Sequence, residues 1–386
     1  MNESRLRTVF QNYIEKFDFM NAPEPGGNET YKWEIAFDFR KRMDDILASP
    51  ADTMAVKMRD LIGGTSNLLD NQWEWPGNAL CEYCKTDPED VRALLSDLLT
   101  ANGGDLYQQQ KRIDSFIDGC EKLRAKNYPD SYRFEIGQRA AMVLLGLYDP
   151  EHNYLYKASQ ANAFADCVEF PEDWGSSKNF RLPVYYKMCD QLVAYIKADA
   201  ALMAAHRKRY QDPVFPVHPD ENLHLLAFDV IYCCTVYHLM DNISYAHISS
   251  AAKKQYLENR AIAETLADEL TAKEAETELY REAAAYFKPF LSEGSGVRHR
   301  VFGQGTVTAY TESEDGNYIT VRFLSAGEKK LEAEMSVIKG YISVDAPELS
   351  ERIEKYKGLA QKSKKQLAEE IRSLERRLEP LREYLL

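Results

Sequence analysis

Two pairs of metal-ligand residue types stand at short spacing in this chain. Cys81-x-x-Cys84 has the separation of half a zinc site, and Cys234 with His238 places a thiol and an imidazole one helical turn apart. Together they supply the four ligands of a tetrahedral Zn²⁺ set. The two halves lie far apart in sequence, and each sits among apolar neighbours: Leu80 and Tyr83 around the first, the run 225–239 around the second. Buried structural thiols are therefore the expectation, with no metal and no other cofactor required. Seven cysteines, an odd number, also do not read as a disulfide framework.

Other chemistry-bearing residues form incomplete sets. Asp130, after Pro129, and Glu135 have the order of the acidic pair that holds Mg²⁺ in restriction-type nucleases. The lysine that polarises the attacked phosphate is missing, because Ile136-Gly137-Gln138 follows. His224 and Asp229, close to His218, have the types of an acid–base pair. Leu223, Leu225 and Leu226 beside His224 point instead to a hydrogen-bonded core histidine. No G-x-x-x-x-G-K-[ST] loop occurs, and Gly63-Gly64-Thr65-Ser66 lacks the lysine that would hold nucleotide phosphates. There is no G-x-S-x-G and no cysteine in a nucleophile context. No residue is assigned a catalytic role.

Binding residues are easier to nominate. His206-Arg207-Lys208-Arg209-Tyr210 is the densest basic run, so Arg207, Lys208 and Arg209 are the first candidates to meet phosphate or an acidic partner. The duller reading is a solvated helix C-terminus. Tyr154-Leu155-Tyr156-Lys157 and Tyr185-Tyr186-Lys187 are aromatic–basic clusters suited to stacking on bases or anchoring an interface. A net charge of −13 excludes a chain wrapped generally around nucleic acid and leaves room for a local basic face.

The elements that must position these residues are mainly helical. Leu6, Val9, Phe10, Tyr13, Ile14 and Phe17 form a stripe spaced by three and four, a docking helix. Asp87-Pro88-Glu89-Asp90 is a helix start, with Asp87 as the cap and Pro88 at the first helical position. Residues 140–148 fit either a strand or a buried helix. From 246 to 292 the composition turns Ala- and Glu-rich, a long helix up to Pro289. Near 297 the period changes to two: short runs of β-branched and aromatic residues separated by Gly303, Gly305, the Glu314-Asp315-Gly316-Asn317 turn and Gly327 predict a small, strongly bent barrel. Beyond it Leu367, Ile371, Leu374, Leu378, Leu381 and Leu385 carry a coiled-coil seam, with Leu349, Ile353, Tyr356 and Ala360 upstream in another phase and Pro380 as a kink. The flanking helices are expected to pack antiparallel as an arm of about 55 Å carrying the barrel, or the last helix pairs with a second chain as a homodimer.

The barrel segment resembles the small Tudor-like module at the C-terminus of UvrD/PcrA-type helicases. Val297, His299, Phe302, Gly303, Gly305 and Val307 fit its V-x-H-x-x-F-G-x-G-x-V pattern. The resemblance implies docking on a protein, RNA polymerase in that family, with weak nucleic-acid contact, and nominates Arg298, His299, Arg300, Lys329 and Lys330 for partner or nucleic-acid binding. A second, broader resemblance covers residues 31–245. Trp33-Glu34, Thr65-Ser66-Asn67-Leu68-Leu69, Asp87 to Leu94, Tyr154-Leu155-Tyr156-Lys157, Cys189-Asp190, Leu223 to Leu226 and Asp229 to Tyr232 are similar to the region ahead of the motor in McrB-like restriction ATPases. It implies target or partner recognition in defence against foreign DNA, with any ATPase on a separate protein, and it transfers no functional residues.

The expected organisation is a docking helix and loop (1–30), a helical recognition body with room for a minor sheet (31–248), an arm helix (249–293), the Tudor-like barrel (294–345) and a coiled-coil-like helix (346–386). The expected function is a non-catalytic recognition or adaptor subunit of a bacterial restriction or anti-phage system that binds a protein partner (an ATPase, a nuclease or RNA polymerase) and, locally, nucleic acid. The alternatives are a divergent metal-dependent nuclease and a transcription-linked factor whose barrel binds RNA polymerase. No apolar run approaches the ~18 residues of a membrane span, and residues 1–10 lack a signal peptide's apolar core, so a cytoplasmic location is expected.

Overall fold

The computed structural model describes residues 1–22, 27–70, 73–101, 103–211, 213–313, 316–346, 349–361 and 364–385. Glu314 and Asp315 of the expected hairpin turn, and part of the 21–28 loop, lie outside the described residues. The chain divides into two compact units, Met1–Lys254 and Gln255–Leu386. No described helix is long and apolar enough to cross a membrane.

The described residues of the first unit form helices joined by loops, with no strand to supply the minor sheet. Its helices are α1 (Glu3–Met20), α2 (Tyr31–Ala48), α3 (Ala51–Gly63), α4 (Ser66–Leu69), α5 (Pro76–Thr86) and α6 (Pro88–Leu98). There follow α7 (Leu106–Asn127), α8 (Gln138–Tyr148), α9 (Ala158–Cys167), α10 (Leu182–Ala198), α11 (Ala200–Arg207) and α12 (His224–Val236). The stripe on α1 is buried in this unit's own core, so the expected docking helix docks on its own body. Residues 140–148 resolve as helix: α8 is buried from Ala140 to Leu147 with no polar face, as a central helix must be. The same holds for α12, buried almost continuously from Leu225 to Cys234. At the start of α6, Asp87 makes no side-chain cap; its carboxylate turns instead to Lys126 and, at 2.5 Å, to Asn127 Nδ2.

The second unit holds most of α13 (Ser250–Phe287), then a curled antiparallel sheet of β1 (Gly296–His299), β2 (Gly303–Ser313), β3 (Gly316–Phe323), β4 (Gly327–Glu332) and β5 (Ile342–Ser343), with α14 (Ala333–Ile338) between the last two strands. The strand order is β4-β3-β2-β1-β5, so the edges do not pair and the expected closed barrel is a half-barrel. Alternation puts Val297, Val307, Ile319, Val321 and Phe323 inside, against Phe287 and Leu291 on one side and Met335 and Ile338 on the other. A bulge between Val307 and Ala309 supplies the bend. The glycines of the sequence pattern now have physical causes. Gly303 sits at φ +74°, and a Cβ on Gly305 would lie 2.6 Å from the Phe323 ring and 2.7 Å from Val321 Cγ1.

The C-terminal segment is not one continuous helix. It runs as α15 (Leu349–Tyr356), a 3-10 stretch Lys357–Gln361, α16 (Lys364–Leu378) and a 3-10 end Glu379–Leu385 at Pro380. Tyr280 Oη donates to Leu359 O at 3.2 Å, Lys273 lies 3.5 Å from Glu370, and Tyr256 packs edge-on to Tyr384, so these segments run antiparallel to α13. Leu374 and Leu378 bury against Ala263 and Leu266. Leu367, Leu374 and Leu378 of the seam offered for a homodimer are thus buried within the chain, while Leu385 stays exposed.

Candidate interaction surfaces

The basic run splits as the chain folds. Arg207 and Lys208 stay exposed, Lys208 reaching Asp18 at 2.9 Å. Arg209 does not: its guanidinium is fully buried and bonds Asp229 Oδ2 at 2.9 Å and Tyr13 Oη at 2.7 Å, stacked 4.1 Å from the centre of the Trp33 ring. His206 is buried beside it and burial, with Arg209 next to it, pushes its pKa down to about 3, so the ring stays neutral. Arg209 is therefore a structural cation and not a phosphate ligand.

Asp229 is the centre of this network. The second cation is Lys32, also fully buried, at 2.5 Å from Asp229 Oδ1 and in ion-pair contact with Glu29. Glu29 accepts further from Tyr237 Oη at 2.7 Å. Burial pushes the Asp229 carboxyl up, but Lys32 and Arg209 outweigh it and hold its pKa below the usual range. Burial opposes charge on Lys32 too, and Asp229 overrides it, keeping the ammonium protonated. Two cations and two carboxylates thus close a neutral set inside the first core. Glu29, Asp229 and Cys233 also form a group with metal-ligand spacing among the described residues, yet the Lys32 ammonium already occupies the space between the two carboxylates.

The other nominated sets are not assembled. Asp229 faces Lys32 and Arg209, whereas His224 lies tilted against the Tyr154 ring, centroids 4.0 Å apart, with its Nδ1 lacking a hydrogen-bond partner, so no acid–base pair forms. Asp130 and Glu135 are exposed and belong to no metal-capable group among the described residues. Cys81, Cys84 and Cys234 are buried free thiols while His238 is exposed, as structural cysteines require. The aromatic words are core: Tyr154, Tyr156, Tyr185 and Tyr186 are buried, with Tyr185 Oη donating to Leu155 O at 2.6 Å and Tyr154 Oη to Asp190 at 2.7 Å. None of these four rings is offered to a base.

In the second unit the nominated residues separate into one turn organiser and an exposed group. His299 is buried, and its Nδ1 accepts from the N–H groups of Val301 at 3.1 Å and Phe302 at 3.2 Å, while its ring stacks on Phe302 at 4.5 Å. Its role is therefore to shape the β1–β2 turn and not to touch a ligand. That turn meets two others at one end of the sheet: Ser325 Oγ donates to Phe302 O at 3.0 Å, and Arg300 N to Tyr341 O at 3.0 Å. The tip so formed displays Val301, 72% exposed, Leu324, 88% exposed, and Tyr341. Arg300 lies over the Tyr341 ring at 4.2 Å and Lys329 approaches Phe302 at 5.8 Å; Lys330 sits at 4.4 Å over Tyr318, and Arg298 is exposed on β1. The fold and surface define a helical protein with an apolar, cation-rimmed sheet tip. No family model, no curated protein and no solved structure matches the chain.

Proposed function

We propose that this chain is a non-catalytic recognition or adaptor protein whose sheet tip docks on an acidic surface of a protein partner. The observation that carries the reading is the tip itself. Val301 and Leu324 are apolar side chains left largely in water, with Arg300 and Lys329 at their rim, in a chain that buries most of its other apolar groups. Exposed apolar groups framed by charge are what a desolvated interface centre with a polar rim needs. The sequence pattern of the half-barrel, similar to a Tudor-like docking module, supports a protein partner. The resemblance of residues 31–245 to the recognition region of McrB-like ATPases supports a place in a restriction or anti-phage system, with an ATPase or nuclease as that partner; RNA polymerase is the alternative partner.

The test is affinity capture from nuclease-treated lysate with the wild type and with the double variant Val301→Glu/Leu324→Glu, followed by direct titration of the recovered protein against both. A partner that survives nuclease treatment and is lost with the double variant supports the reading. Equal capture by both proteins, or recovery of nucleic acid alone, overturns it.

A further inference from the structure

The second unit keeps one carboxylate in its interior among its described residues: Glu334, in the first turn of α14, is 4% exposed. It lines a cavity of about 380 Å³ bounded by the end of α13, by α14, and by β2 and β3 where they meet at the end of the sheet opposite the tip. Tyr280, Ala284, Tyr310 and Met335 give this cavity aromatic and aliphatic walls. The volume lies at the small end of ligand pockets, roughly 300–1,000 Å³.

Glu334 differs from every other buried carboxylate among the described residues. Glu29, Asp87, Asp166, Asp220 and Asp229 each have both oxygens engaged by a hydrogen-bond donor or a cation. In Glu334 both bonds fall on Oε1, from Tyr310 Oη at 2.5 Å and Asn317 Nδ2 at 3.0 Å. Among the described residues nothing donates to Oε2, and no cation pairs with the carboxylate. Oε2 is not sealed inside the protein either, so its acceptor capacity opens on the cavity. A buried charge left this way is costly unless something pairs with it.

The cations that share the lining are engaged elsewhere. Lys288 Nζ pairs with Glu312 at 2.6 Å and lies 5.8 Å from the centre of the Tyr310 ring, Arg281 pairs with Glu278, and Lys364 Nζ donates to Ser313 O at 3.2 Å. Glu312 and Glu332, both exposed, are the other carboxylates of the lining, and with Glu334 they form no metal-capable group. A hard metal ion needs several oxygens at once, whereas aromatic and aliphatic walls suit a cation carried on carbon. We propose that this cavity binds a small organic cation, an alkylammonium or a guanidinium, that donates to Glu334 Oε2 and lays its carbon body against Tyr280, Tyr310 and Met335. The cavity and the tip lie at opposite ends of the sheet, so either assignment can fail alone.

The experiment is calorimetric titration of the full chain with n-butylammonium and methylguanidinium chloride, with n-butanol as the uncharged counterpart, repeated on Glu334→Gln and Ala284→Phe. Glu334→Gln keeps an oxygen for Tyr310 and Asn317 and removes the charge, whereas Ala284→Phe leaves every charge in place and fills the cavity from α13. The expected result is millimolar or tighter binding of at least one cation to the wild type, with n-butanol at least about tenfold weaker. Each substitution should weaken the cation about tenfold or more, the loss of one charge-assisted contact. The unfolding midpoint of Glu334→Gln should stay level or rise, because a buried charge without a counter-charge is gone. No binding of either cation up to about 20 mM, equal affinity for n-butanol, or undiminished binding by Glu334→Gln overturns the proposal. Nα-acetyl-lysine methylamide carries the same ammonium on a peptide; binding about tenfold tighter than n-butylammonium would assign the cation to a protein chain and overturn the small-molecule reading.

Discussion

The two units treat charge in opposite ways. The first sinks Lys32, Arg209, Glu29 and Asp229 into its core and pairs them there; the second lays Arg300, Lys329 and Lys330 over aromatic rings at its surface. A buried pair gains little over well-packed apolar residues, but losing one partner strands the others in a dry interior, so the set tolerates no single change. Exposed cations over rings contribute only about 0.5–1 kcal/mol each and can be changed without unfolding. The first arrangement specifies one packing of distant segments, and the second leaves side chains available to a partner.

The strongest way to break this contrast is Asp229→Ala. It leaves Lys32 with Glu29 alone and Arg209 with no carboxylate, and should cost about 3–5 kcal/mol, read by urea unfolding followed through tryptophan fluorescence. All four tryptophans lie in the first unit, so the signal reports that unit. Amide exchange in β2 and β3 should be unchanged, because Asp229 packs in the first core and the strands in a separate one. A loss below 1 kcal/mol would mean that the network is not what fixes the body.

Asp220 sharpens the comparison through pH. Its carboxylate accepts from Leu225 N at 3.0 Å, Leu226 N at 2.9 Å and Trp33 Nε1 at 3.1 Å, yet burial outweighs these bonds and raises its pKa from 3.8 to about 7. The folded state therefore holds the proton more tightly than the unfolded one. The stability this group contributes is complete below about pH 4 and is lost as the pH rises to 7. The stability of the wild type relative to Asp220→Asn should fall by a few kcal/mol across that window, as followed by denaturant melts at stepped pH. A flat difference would refute the assignment. In the second unit, Gly305→Ala should cost about 1–3 kcal/mol by forcing a methyl into Phe323 and Val321, visible as faster amide exchange in β3. Smallest of all, Val301→Glu/Leu324→Glu should move stability by no more than about 0.5 kcal/mol, measured by thermal unfolding, while abolishing partner capture.

Legibility followed the range of the interactions. The apolar stripe of α1, the helix beginning at Pro88 and the period-two strands around Gly303 and Gly305 are set by neighbours a few residues apart, and sequence shows them. Arg209 looked like part of a surface run because its partners Tyr13 and Asp229 lie 196 and 20 positions away. Lys32 carries no local mark of its burial, and the one sequence signal for it is Asp229 inside an otherwise apolar helix, since a carboxylate there demands a buried cation. The apolar seam of the last segment packs on α13, the antiparallel arrangement expected of the two flanking helices, and the change of phase between Ala360 and Leu367 falls next to the 3-10 stretch at 357–361 that interrupts the helix. Tyr310 and Asn317 reach Glu334 from 24 and 17 positions away, and only folding shows that all three line one cavity.

One feature of the first core carries over to behaviour under oxidants. All seven cysteines lie in that unit, buried and unpaired, and burial raises their pKa, to about 11 for Cys81 and Cys167 and about 12 for Cys84. At neutral pH almost no thiolate is present, and neither peroxide nor an alkylating reagent reaches sulfur until the helices part. The rate of thiol labelling in this chain is therefore a clock for the opening of its first unit, and the half-barrel, having no cysteine, stays silent in that measurement.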